Sequence, residues 1–142
     1  MTKVLLGNTF PLTLVRREVR IYPITVDEAK ALLTIAGFNS FWGHTNTATV
    51  AKAQLGFDVM PKTERPALVI DEDGLPGLNG EHSDTIVVLS PTYRSGFRPA
   101  MGQEVTEADI VGWEPLLVKF TNPAGIKQDV NEVLEGLGLP LL

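Results

Sequence analysis

Two histidines, His44 and His82, carry all the imidazole chemistry available to this 142-residue chain. His44 stands in Gly43-His44-Thr45-Asn46-Thr47-Ala48, where glycine permits a sharp turn and Thr45 or Asn46 can cap a following helix. That setting puts an imidazole beside unpaired helix N-terminal amides, which attract phosphate oxygens. Near neutral pH an imidazole can give a proton to a leaving alkoxide or take one from a hydroxyl. The same spacing suits a histidine that fills a loop-to-helix corner and bonds a carbonyl, so the residues alone leave both roles open. His82, within Asn79-Gly80-Glu81-His82-Ser83, reads as a solvated loop side chain.

Arg65, Arg94 and Arg98 fall in loop-like segments flanked by prolines. Guanidinium forks match phosphate oxygens bidentately, and Tyr93 and Phe97 nearby offer faces on which a base can stack. The same residues read equally well as surface charges and core aromatics. Metal chemistry finds no support. The chain has no cysteine, no His-x-His and no His-Glu-x-x-His, and Asp71-Glu72-Asp73-Gly74 lacks the rest of a calcium loop. Gly74, Gly77 and Gly80 form no phosphate loop, because no Gly-Lys-Ser/Thr follows. No metal and no cofactor is expected.

The elements that must position these residues follow from hydrophobic periodicity. Lys3 to Leu6 reads as a buried strand ending at a turn near Gly7-Asn8. Val15, Val19 and Ile21 alternate with Arg16, Glu18 and Arg20, which predicts a second strand with one wet face. Thr25-Val26-Asp27-Glu28 is a capping box, and Ala29, Leu32, Leu33 and Ala36 follow at helical spacing up to Gly37. Phe38 to Trp42 reads as a short strand or extended turn. Thr45 to Leu55 reads as a second helix that buries Ala48, Ala51 and Leu55 and stops at Gly56.

Ala67 to Ile70 is expected to be a strand, residues 71 to 74 a turn, and Leu75 to Ser83 an exposed loop. Thr85 to Leu89 is the clearest buried strand, and Pro91 to Gly102 reads as irregular. Thr106-Glu107-Ala108-Asp109 opens a short third helix, Leu116 to Phe120 forms a last strand, and residues 128 to 134 suit a tail helix. Strands with short helices between them, and no long βαβ rhythm, predict an α+β fold. The expected form is a single domain, a mixed β-sheet sandwich with short helices packed on it. Residues 1–122 make up the domain and residues 123–142 a C-terminal tail.

A hydrophobic content of 44% is enough for a real core, which argues against wholesale disorder. A formal net charge of -5 makes duplex nucleic acid an unsuitable partner, although arginines gathered in one pocket can still hold a small phosphorylated ligand. Val4-Leu5-Leu6 is too short for a signal peptide, and no apolar run is long enough to span a bilayer. The expected location is the cytoplasm, with no membrane partner.

Three stretches resemble the anti-CRISPR ring nucleases, a family of small proteins of archaeal viruses and bacteriophages. Lys3 to Phe10 looks like that family's opening strand and Asn-x-Phe turn. Ile35 to Leu55 is similar to its Gly-His-x-x-Thr segment and following helix, and Arg98 to Ile110 resembles its Arg-then-Gly stretch and short helix. The resemblance implies a homodimer that binds a cyclic oligoadenylate and cleaves it without metal, a ribose 2′-hydroxyl attacking the adjacent phosphate. By position, His44 would be the general acid, Arg98 would stabilise the phosphorane and Arg65 would hold ligand phosphate. Asn8, Thr47, Arg94 and Phe97 would join them around the ligand. Pro11 and Met101 stand where the family carries a serine and an acidic residue. Neither side chain can orient a ribose hydroxyl or take up a proton.

Two functions therefore share one expected site in a viral anti-defence protein of the host cytoplasm. A sponge would sequester a cyclic nucleotide or cyclic oligonucleotide immune messenger intact, as a homodimer or higher homo-oligomer. A metal-independent ring nuclease would cleave the messenger through His44. The missing hydroxyl and carboxylate favour the sponge.

Overall fold

The period-2 runs pair into two sheets in a computed structural model of the chain. It describes residues 3–43, 45–57, 59, 68–78, 80–99, 104–121 and 131–141. The larger sheet holds β1 (Val4–Gly7), β2 (Val19–Pro23), β3 (Phe38–Ser40), β7 (Thr85–Tyr93) and β8 (Ile110–Phe120), in the order β2-β8-β7-β1-β3. β1 runs parallel to β3 and β7, whereas β8 is antiparallel to β7 and β2. A smaller antiparallel sheet joins β4 (Val69–Ile70), β5 (Pro76–Leu78) and β6 (Glu81–His82). Two helices, α1 (Val26–Ala36) and α2 (Thr45–Leu55), complete a single α+β domain.

Alternation along the strands separates two cores. Val4, Leu6, Val87, Leu89 and Trp113 pack with Ala29 and Leu33 of α1 and Ala48, Ala51 and Leu55 of α2. Leu5, Ile86, Val88, Val118 and Phe120 face the other way, onto Leu78 and its neighbours in the small sheet. The central strands are thus covered on both faces, which is why they read as continuous apolar runs. α1 starts at the expected capping box, with Thr25 Oγ1 accepting from the Glu28 amide and Glu28 Oε1 from the Thr25 amide. It stops at Gly37, whose φ of 73° is costly for any residue with a Cβ.

Several elements depart from the sequence reading, each for a visible reason. Residues 75–78 and 80–83 are not an exposed loop. Pro76, Gly77 and Leu78 are buried as β5, and the glycines that suggested a loop make the turns, Gly74 and Gly80 both having positive φ. His82 is not solvated either. Its ring lies on Gly77, where an added Cβ would overlap it, and its Nε2 is buried without a hydrogen-bond partner. The second strand is shorter than expected and lacks Val15. Val19 packs on the small-sheet core while Ile21, two residues on, stays 48% exposed.

β7 continues to Tyr93 and β8 begins at Ile110, so both outrun their expected spans despite Pro91 and Pro115. Both prolines are tolerated because they sit where a neighbouring strand ends or is ending. β1 stops at Gly7, level with Val88, so the missing N–H of Pro91 faces no ladder partner, whereas Pro115 lies at the end of the β2 ladder and keeps one bond there, its carbonyl accepting from the Ile24 amide at 3.3 Å. A bulge sits at the far end, where Thr92 pairs with Gly112 but Tyr93 pairs with Ile110. The extra residue, Val111, is 67% exposed, and the slip turns Ile110 into the helix-side core. The expected third helix is a single 3-10 turn, Glu107–Asp109, and the tail is helical over residues 131–136.

β1 closes against the segment after β3 through one tight approach. The Phe41 amide donates to the Leu6 carbonyl at 2.8 Å, and the Phe41 ring occupies the space a Cβ on Gly7 would need. Gly7→Ala should therefore destabilise the fold by about 1–3 kcal/mol, the usual cost of overpacking. Urea denaturation followed by circular dichroism tests this; an unchanged midpoint would mean that the ring yields without cost.

Candidate functional site

The carboxyl end of β3 delivers the chain to α2 beside the parallel carboxyl end of β1, and in open α/β sheets ligands sit beyond such strand ends. Asn8 follows β1 directly and is half-buried. After β3, Phe41 turns back onto β1, and the Trp42 amide donates to Ser40 Oγ at 3.2 Å. The Trp42 indole is fully buried and donates from Nε1 to Thr47 Oγ1 at 2.9 Å. Thr47 is thus a buried acceptor in the first turns of α2, while Gly43 is exposed just before the helix. His44 and Arg65 lie outside the described residues, as do Met101 and Gly102.

A second group of expected site residues meets at the tip of the β7–β8 hairpin. Arg94 Nε donates to Asp109 Oδ1 at 3.0 Å, and the Arg94 amide donates to the Asp109 carbonyl at 2.8 Å. The Arg94 guanidinium lies over the Phe97 ring, 4.7 Å from its centroid, and Tyr93 packs on the same ring at 5.5 Å. One face of Phe97 is therefore already taken by a cation. Arg94 keeps about half of its side chain in solvent, and Arg98, next after the turn, is exposed. No ion pair of Arg98 occurs among the described residues.

Asp109 was not a candidate from the sequence, yet it organises this tip. Its carboxylate accepts from the Thr106 amide at 2.9 Å and from Thr106 Oγ1 at 3.0 Å as well as from Arg94. The Thr106 amide first, and then Arg94 and the Thr106 hydroxyl, hold its pKa below the ordinary value despite the opposing effect of burial. The Thr106-x-x-Asp109 spacing was the signal that pointed to it. Gln54, also unflagged, joins the tip to α2. Its Nε2 donates to the carbonyls of Glu107 and Ile110, and its Oε1 accepts from Trp113 Nε1 at 2.8 Å.

The described site residues thus form two groups: Asn8 and Thr47 near the start of α2, and Tyr93, Arg94 and Phe97 near its end. At about 1.5 Å per residue, Thr45 and Gln54 are roughly 14 Å apart along the helix. Among the described residues no group of three or more histidines or acids is placed to hold a metal. No described helix is long and apolar enough to cross a membrane.

A scan of protein-family models finds no match to this chain, and a search of curated proteins also finds none. Solved structures do match in fold. The chain is similar to B116 of Sulfolobus turreted icosahedral virus with a TM-score of 0.54 and 13% sequence identity, over 82% of this chain and 98% of that one. The α+β arrangement is therefore shared with a viral protein, and this chain carries segments beyond the shared part.

Because Asp109 is charged in the folded tip at a pH where a free aspartate is half protonated, it stabilises the fold above the ordinary value near 3.8. That contribution is lost as pH falls through the depressed folded value. Melting temperature should therefore drop more steeply below pH 4 in the native chain than in Asp109→Asn. Parallel acid profiles of the two would overturn this role.

Proposed function

We propose that this chain is a viral anti-defence protein that captures a cyclic nucleotide or cyclic oligonucleotide immune messenger and holds it intact, as a homodimer or higher homo-oligomer in the host cytoplasm. One observation carries the reading: the hairpin tip holds the Arg94 guanidinium over the Phe97 ring with half of the side chain in solvent, while Arg98 stands exposed beside it. A guanidinium fixed in this way leaves its exposed half to a base or an anion, and a neighbouring exposed guanidinium offers a fork to phosphate. Asp109 and Phe97 fix Arg94 before any ligand arrives, which lowers the ordering cost of binding.

The fold shared with a viral protein and the resemblance of three segments to anti-CRISPR ring nucleases support a viral setting. Pro11 and Met101, which lack the hydroxyl and carboxylate that turnover would use, support capture over cleavage. Asn8 and Thr47 mark the opposite end of α2, where His44 would meet ligand phosphate at the helix amides. A compact mononucleotide does not span both ends of α2, so a large ring or a subunit pair fits the two groups best.

Incubation with labelled cyclic mono-, di- and oligonucleotides, followed by heat denaturation, tests this reading. Release of intact ligand is the expected result. Linear product would instead assign a metal-independent ring nuclease with His44 as general acid, and failure of every ligand to bind would overturn both readings. Arg98→Ala should weaken binding at least tenfold, about 1.4 kcal/mol, and an unaltered Kd would remove Arg98 from the site. His44→Ala should keep the fold and abolish any cleavage; persistent cleavage would exclude His44 as the acid.

A further inference from the structure

Gln54, next to last in α2, is exposed and yet reaches the hairpin through three hydrogen bonds. Its Nε2 donates to the Glu107 carbonyl at 3.2 Å and to the Ile110 carbonyl at 3.1 Å, while its Oε1 accepts from Trp113. An indole N–H can only donate, so the amide oxygen must face Trp113 and the two amide hydrogens must face the carbonyls. A carboxylate here could not donate to the carbonyls, and an ammonium could not accept from the indole. Substitution of an ordinary exposed side chain is close to neutral, but three directed bonds set this one apart.

The two gripped carbonyls bracket Asp109. Glu107 opens the 3-10 turn that ends at Asp109, and Ile110 is the residue after it. Asp109 then passes this placement to Arg94 at two points, its carboxylate accepting from Arg94 Nε and its carbonyl from the Arg94 amide. The anchor behind Gln54 is firm, because Trp113 is buried and meets the Trp42 ring edge to face.

We propose that Gln54 is a positioning residue of the candidate site: from α2 it fixes the turn that carries Asp109, and through Asp109 it sets where the Arg94 guanidinium is presented to a ligand. This deepens the proposed function and rests on it in taking Arg94 as a ligand contact. The helix whose first turns hold Thr47 thereby also sets the guanidinium near its other end.

Gln54→Glu and Gln54→Met in the full-length chain test it. Both keep the reach of the side chain; the first retains an acceptor for Trp113 but no donor for the carbonyls, and the second adds no charge. Hydrogen exchange of the Arg94 Nε–H, followed by 15N NMR without ligand, should be about tenfold faster in both, the order set by losing one or two hydrogen bonds. The buried Val87 and Leu89 amides should change less. In Gln54→Met the Asp109 carboxyl should also titrate closer to the ordinary value near 3.8. An unchanged Arg94 Nε–H, an unchanged Asp109 titration, or equal acceleration at Val87 and Leu89 would overturn the proposal. Both variants should bind a labelled cyclic oligonucleotide more weakly than the native chain. If the native chain binds none, Arg94 loses its ligand while the exchange result still decides the role of Gln54.

Discussion

Two indoles hold α2 in place, and both groups of candidate site residues depend on them. Trp42 and Trp113 meet edge to face at 5.9 Å, and each spends its single N–H on α2, Trp42 on Thr47 and Trp113 on Gln54. A buried indole without a partner for its N–H would be costly, so the two bonds fix the helix at both ends as well as satisfying the rings. The strand end at Ser40 and the far part of β8 are thereby locked to the same helix. Everything a ligand would meet at Gly43 or at the hairpin tip is placed by that clamp.

Much of this arrangement was legible in the residues. The capping box at Thr25, the Ala48/Ala51/Leu55 stripe and the Thr85–Leu89 run depend on nearest neighbours and on a single period, so they survive in tertiary context. The misses share another cause. A proline such as Pro91 acts as a breaker only where a neighbouring strand needs its N–H, and strand lengths are not written locally. The bulge at Val111 puts residues of both parities on one face and so erased the alternation that would have revealed the start of β8. Glycines at 74, 77 and 80 read as a loop because their composition does not separate an exposed loop from a small sheet in which Gly74 and Gly80 make the turns and Gly77 lies within β5.

The candidate site was legible by residue type more than by arrangement. Arg94, Phe97 and Tyr93 were singled out for stacking and charge, and they do form one cluster. What the residue list did not show is that Asp109 fixes Arg94, or that Thr47 is engaged by Trp42 rather than open at the helix start. Such partners are 15 or 5 positions apart with no periodic relation, so only the fold connects them. Arg94 is held by Asp109 and Phe97, whereas Arg98, four residues on, is exposed.

The open edge of β2 bears on aggregation. The Glu18 carbonyl and Ile24 amide bond across to Thr121 and Pro115, so Val19, Ile21 and Pro23 turn their backbones to the outside. Pro23 has no hydrogen to offer there, and a strand arriving from another molecule would lose a rung of its ladder at that position. Lateral growth of this border into ribbons or fibrils is thereby discouraged.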